Sequence, residues 1–412
     1  MRPRSATSAV IGVALLAIVF GAASTWSFFC APAGAPLATL PAEVEVITAT
    51  GGRARILFGG DTHFGESYLA NARRAEIVDA HGYGYPTARL APLLGSADLA
   101  IVNLETPLTL RPSSPLSEDK AFVHWGDPER APAQLAAVGV HAVSLANNHA
   151  FDFLKPGLDD TLAALAAHDI AAFGAGATLG EAAQVFRRDL QVGQHSLRLA
   201  VIGTFQYDWS YWRLDSYAED DEPGTYGLRL QTIAEQIGAL KAADPTLFVI
   251  VFPHWGINYR RRTARQIEQG HALIDAGADL IVGHGSHAFQ AAERYAERWI
   301  LYSIGNFVFL TGGRYGRNHC HPYSLAACLD VVEQPDGLAG SMRLYFIASD
   351  NRATNYQPRL LEGAELEAAT QLFLAGDTVN GPTRAALAEA AVLEPDEVAM
   401  GLTIDLGPIG KR

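Results

Sequence analysis

Short apolar runs recur along the chain, each separated from the next by a stretch with helical spacing. The runs cover residues 56–58, 99–104, 142–146, 170–173, 246–252, 280–282 and 298–303. Their continuous apolar character is that of strands covered on both faces. Helical spacing between them predicts helices near 70–80, 90–94, 129–138, 157–167, 230–240 and 262–276. Strand after helix after strand implies an α/β fold. Residues 185–191 with 196–202, and 325–332 with 341–347, alternate in period two and read as hairpins. These hairpins argue against a purely parallel sheet and for two sheets packed together. Two helical patches, 361–375 and 383–391, are expected in the tail.

The stretches outside this rhythm divide the chain. Arg2 and Arg4 precede a run over 9–29 with no charged residue. It is long enough to cross a bilayer and long for the apolar region of a cleaved signal. Its basic flank places the rest of the chain outside the cytoplasm. Residues 1–30 are therefore expected to be a membrane anchor, with a secretion signal cleaved within 31–35 as the alternative. Residues 31–52 read as a linker with one short strand near 44–47, 53–350 as the main domain, and 351–412 as a helical extension. Inside the main domain, 107–121 is a polar, Pro-rich insertion. Residues 205–226 hold Tyr207, Trp209, Tyr211, Trp212 and Tyr217 before the acidic run 219–222. This stretch is either an acidic surface loop or a lid on the substrate side.

Charge and cysteine content narrow the partners. The formal net charge is −13, with 31 Lys and Arg against 44 Asp and Glu. That balance argues against nucleic-acid binding, and an acidic substrate would need a local basic patch or a metal. Arg260, Arg261 and Arg262 form the only run of three basic residues. They are either a helix start in solvent or the positive field for such a substrate. Cys30, Cys320 and Cys328 lack zinc-site spacing. Cys320 and Cys328 are open to one disulfide or to free thiols. No phosphate-loop, nucleophile-elbow or dinucleotide fingerprint is present.

The chemistry lies at the strand ends, where α/β sheets deliver their ligands. The first strand ends in Gly60-Asp61 and His63, and the second in Asn103-Leu-Glu105. The third ends in Ser144-Leu-Ala-Asn-Asn-His149, followed by Asp152. Later strands end in His254-Trp-Gly256, in Gly283-His-Gly-Ser-His287 with Gln290, and in Gly305-Asn-Phe307. Carboxylate, amide and imidazole groups without thiolates suit a hydrolytic two-metal centre rather than a structural zinc site. Two ions about 3.5–4 Å apart can clamp the oxygens of a transferring phosphoryl group, and a carboxylate must span them. Glu105 and Asp61 are both candidates.

In this order and spacing the motifs resemble the CapA family of bacterial capsule-synthesis proteins, associated with poly-gamma-glutamate. That family is itself similar to the calcineurin-like metallophosphoesterases. The resemblance covers roughly residues 53–310. It implies a four-layer α/β/β/α sandwich of metallophosphoesterase type in a membrane-anchored, extracytoplasmic protein. It also implies one divalent ion held by Asp61, His63, Glu105 and His287, and a second by Glu105, Asn148, His254 and His284. His149 would protonate a leaving group, with Asp152 orienting it. Manganese, iron and zinc suit this donor set better than magnesium. The chain departs from the phosphoesterase pattern where Asn103-Leu-Glu105 replaces Gly-Asp-x-x-Asp, and Asn258 stands where the family often has an acidic residue. Arg260, Arg261, His124 and Asn306 are expected to face the substrate. The expected substrate is an anionic polymer or phosphoester, with membrane synthase or export subunits as possible partners. The functional expectation is synthesis, export or anchoring of a capsule polymer. A phosphoesterase unrelated to capsule and a non-catalytic polymer-binding subunit are the alternatives.

Overall fold

Alternation within two strands sets the layering. The protein's structure, a computed structural model, describes residues 44–68, 72–376 and 381–410. In strand Arg53–His63, Ile56 and Phe58 enter one apolar cluster and Leu57 enters another. In strand Phe248–His254, Ile250 and Phe252 join the cluster of Ile56 and Phe58, whereas Val249 and Val251 face a third. Successive strand residues point to opposite faces, so two sheets share an inner core and each keeps an outer one. Phe58 and Phe252 meet across that inner core with ring centroids 5.6 Å apart. Helices cover the outer faces. Leu135 and Leu158 pack on the first sheet's side, and Ile233, Ile237 and Leu273 on the other. The result is the expected four-layer α/β/β/α sandwich.

The strand order puts the functional ends on one edge. One sheet runs from Ala171–Phe173 through Ala142–Ser144, Leu99–Leu104, Arg53–His63, Tyr323–Gln334 and Gly337–Ala348 to the tail. Its first four strands are mutually parallel. In the other, His195–Gln206, Phe248–His254, Leu280–Val282 and Arg298–Leu301 are parallel neighbours. Both expected hairpins form as antiparallel pairs.

The tail departs from the expectation of helices alone. Beside Gly363–Ala375 and Gly381–Ala390 it supplies strands Ala391–Pro395 and Met400–Ile409, the latter pairing with Gly337–Ala348. A buried ionic knot ties it to the first strand. The Arg55 guanidinium donates to Asp330 at 2.6 Å and to Asp396 at 2.8 Å, and the Tyr345 hydroxyl also donates to Asp396. Burial alone would raise the Asp396 carboxyl. Hydrogen bonds from Tyr345, the Ala399 and Val398 amides and Arg55 outweigh it and hold the group below the usual carboxylate range.

Two expectations are settled against the residues described. Cys320 and Cys328 are free thiols, Cys328 lying inside the core. The expectation of a single-pass, membrane-anchored chain is corrected. Among the described residues no helix is long and apolar enough to cross a membrane. The 14-residue helix Leu230–Ala243 rises about 21 Å, against roughly 30 Å for a bilayer core. The run expected to be anchor or signal, 1–30, lies outside the described residues.

Asp396→Asn should lower stability at neutral pH by about 1.5–3 kcal/mol, the value of hydrogen bonds to a charged group. Because the folded-state pKa is depressed, this stabilisation is present above the unfolded pKa of about 4 and fades as pH falls below it. Urea denaturation of both proteins at neutral and acid pH checks this, and the difference should narrow on the acid side.

Candidate metal centre

Asp61 reaches its position through a strand irregularity that only glycine permits. The ladder with Leu99–Leu104 shifts register between Gly59 and Asp61. A Cβ at Gly60 would lie 1.8 Å from the Gly305 carbonyl oxygen. That same carbonyl accepts the Asp61 amide at 3.0 Å. The close approach seats the Asp61 carboxylate, fully buried, between the two sheets' strand ends.

The two carboxylate oxygens face different partners. Oδ1 lies 3.2 Å from His284 Nδ1 and 3.6 Å from His254 Nδ1, and these two imidazole nitrogens are 3.2 Å apart. Oδ2 lies 3.4 Å from His287 Nδ1 and accepts the Gly285 amide at 3.2 Å. Two groups of ligating atoms result. One is Asp61, His254 and His284, and the other is Asp61, Glu105 and His287. In each, the donor atoms lie within 4.8 Å of one another. The carboxylate common to both groups is Asp61, and Glu105 belongs to one.

The donor set fits divalent ions. Glu105 Oε2, Asn148 Oδ1 and His284 Nε2 are buried with no hydrogen-bond partner in the protein, the condition that a bound cation or its water relieves. Burial opposes the charged form of the His254 imidazole. His254 is pushed down to about 3, burial outweighing the Asp61 charge. Burial also raises Asp61, but hydrogen bonds from His284 and His287 win and hold its carboxyl below the usual carboxylate range. Glu105 is pushed well above the usual carboxylate range by burial and then by Asp61. Neutral imidazole beside an ionised carboxylate is the protonation state that metal ligation requires.

A braced histidine stands at the edge of the second group. His149 Nδ1 is 2.7 Å from Asp152 Oδ2, and its Nε2 is 4.0 Å from Glu105 Oε1. With the carboxylate as acceptor, Nδ1 carries the proton and Nε2 presents its lone pair towards the site. Asp152 is fixed from three sides, by His149, by the His124 amide at 2.6 Å and by Lys120. Burial lowers the His149 pKa well below its usual value, and Lys120 lowers it further.

The other expected site residues are placed as follows. His63, His124 and His149 form a stack of parallel rings, with centroids 4.4 and 3.5 Å apart. His63, pushed down to about 3 by burial and Arg74, joins neither group of ligating atoms. His124, expected to face substrate, is buried inside the stack. Asn306 accepts from His287 Nδ1 at 2.8 Å and thereby aims that ring. His287 itself has φ +62°, a strained value for a residue with a side chain and one found at functional positions. Arg260 and Arg261 are exposed. Arg262 instead pairs with Glu293 at 2.9 Å.

Of the further contributors, Lys120 carries no signal in the sequence, whereas Asn103 and Tyr211 fall in stretches that the sequence marks. Lys120 is a single cation in a polar insertion. Asn103 holds Asp61 Oδ1 at 3.0 Å and is itself held by Asn147 at 2.9 Å. Tyr211, in the aromatic loop, hydrogen-bonds the Asn148 side chain and packs on Phe205, which meets His254 edge-on at 5.6 Å. The loop therefore touches the site.

The four-layer sandwich thus gathers, at its opposed strand ends, two carboxylate–imidazole groups able to hold metal ions. The chain belongs to the family described as bacterial capsule synthesis protein PGA_cap, whose model matches residues 55–311. It is similar to capsule biosynthesis protein CapA of Bacillus anthracis, 29% identical over 242 residues, 58% of this chain and 56% of that protein. It is also similar to a probable polyglutamine synthesis accessory protein of Mycobacterium tuberculosis, 35% identical over 219 residues, 52% and 56% of the two chains. The chain thus matches little more than half the length of these relatives. The crystal structure of calcineurin-like phosphoesterase YfkN from Bacillus subtilis aligns over 78% of this chain and 98% of its own, with a TM-score of 0.41 and 15% identity.

Since Asp61 serves both groups, Asp61→Ala should abolish metal binding at both, whereas His287→Ala should weaken one. Metal per chain, measured by elemental mass spectrometry on protein purified without chelator, checks this. Equal loss in both variants would oppose the shared role of Asp61.

Proposed function

We propose that this chain is a metal-dependent hydrolase of the phosphoesterase type, acting on an anionic substrate. The supporting observation is the convergence of two ligand groups on Asp61 beside the His149–Asp152 pair. Two divalent ions bound there, manganese, iron or zinc by donor type, would polarise a phosphoryl oxygen and activate water.

The chain's own residues then have distinct tasks. Asp61 spans the two groups, with Glu105 and His287 completing one side and His254 and His284 the other. Asn148, whose side-chain oxygen is buried with no hydrogen-bond partner, would supply a further oxygen donor. Asn306 and Asn103 fix the orientation of His287 and Asp61. His149 Nε2 takes up a proton and delivers it to the departing oxygen, while Asp152 holds the ring and stabilises its charged form. Lys120 offsets the buried charge of Asp152. The relatives' names place them in capsule biosynthesis and in polyglutamine synthesis. On that basis the proposed setting is the processing of an anionic capsule polymer or of its phosphoester precursor.

Manganese-loaded protein should hydrolyse bis(p-nitrophenyl) phosphate, and EDTA should abolish turnover. His149→Ala should lower kcat by about 10²–10⁴-fold, the usual share of a general acid or base, with metal content unchanged. A folded, metal-loaded protein with no turnover, or a His149→Ala variant as active as the parent, would oppose the hydrolase reading and favour a polymer-binding role.

A further inference from the structure

A cavity lies beside the candidate centre. Its volume is about 470 Å³, and Phe122, Arg314, Tyr315, Arg317, Asp350 and Arg352 line it. The Tyr315 hydroxyl donates to the His287 carbonyl at 3.1 Å and accepts from Asn306 Nδ2 at 3.0 Å. Phe122 stands two residues before His124, in the stack beside Glu105. Both walls of the cavity are therefore continuous with segments that position the metal ligands.

Its charge is unusual for this molecule. The chain carries an excess of 13 acidic groups, and elsewhere Arg55, Arg111, Arg262 and Arg343 all pair with carboxylates. Among the described residues, Arg314, Arg317 and Arg352 have no ion-pair partner. The one acid present, Asp350, already accepts the Arg352 backbone amide at 3.0 Å as a helix cap. Arg314 lies over the Phe122 ring at 4.6 Å, which limits the positions its guanidinium takes. Gly313, at φ +63°, turns the backbone beneath this cluster. Three guanidinium groups lining one cavity against a single carboxylate leave an excess of positive charge that suits planar or tetrahedral oxyanions.

We propose that this cavity is an anion subsite, binding a second carboxylate or phosphate of an extended substrate whose reacting bond lies at the metal centre. The inference rests on the hydrolase reading for the identity of that substrate, but the subsite itself can be tested separately. A substrate with regularly spaced oxyanions would span both positions, and a small monoanion would not.

The test titrates the full chain with a γ-linked glutamate pentamer and with tripolyphosphate, each in EDTA and in manganese, at low and high salt. At least one probe should bind in EDTA, more weakly at high salt. The Arg314→Gln/Arg352→Gln double variant should weaken it by roughly tenfold, the loss of charge-assisted contacts. Arg314→Lys/Arg352→Lys should recover part of the affinity, and unchanged thermal melting would show that both variants fold. The probe that binds in EDTA names the anion as carboxylate or phosphate. Binding by neither probe, or binding in EDTA indifferent to the glutamine substitutions, would overturn the subsite. A protein that proves inactive as a hydrolase still gives a clear answer in the EDTA titration.

Discussion

The site depends on one buried carboxylate. Asp61 has no solvent to stabilise its charge, so its surroundings must do so. Asn103, the Gly285 amide and three imidazoles surround its two oxygens, each oxygen facing a different group of ligands. That division makes a two-centre arrangement from a single side chain. It also explains Gly60. The strand must pass against the Gly305 carbonyl to bring Asp61 inward, and any larger residue would push it away.

The sandwich supplies the rest by aligning two sheets over a common core. Asp61, Asn103, Glu105, Asn148 and His149 come from one sheet's strand ends, and His254, His284 and His287 from the other's. Because parallel strands present their C-terminal ends on one edge, the two halves meet without long excursions. The core contacts between Phe58 and Phe252 thus hold the two halves of the site in register. The tail reinforces the same sheet through Arg55 and Asp396, remote from the chemistry yet on the strand that carries Asp61.

Much of this was legible in the sequence because buried strands and their polar ends are local signals. The runs ending at Asp61, Glu105, His149, His254 and His287 could be read one at a time, and the fold rule then brought them together. What was not legible is non-local. Lys120 gains meaning only when its insertion folds back on Asp152. Strand Met400–Ile409 is interrupted by Gly407 and Pro408, and it is stabilised by a partner some sixty residues upstream. His124 and Asn306 were visible as polar residues near the site. Their burial, one in a ring stack and the other behind His287, depends on neighbours distant in sequence. The arginines of the adjoining cavity are scattered singly, so no run announces them.

The central claim is that Asp61 stands between two ions. Anomalous diffraction from crystals of manganese-loaded protein tests it directly. The account predicts two peaks about 3.5–4 Å apart, one beside His254 and His284 and the other beside Glu105 and His287, with the Asp61 carboxylate between them. A single peak, or ions bound away from Asp61, would contradict it.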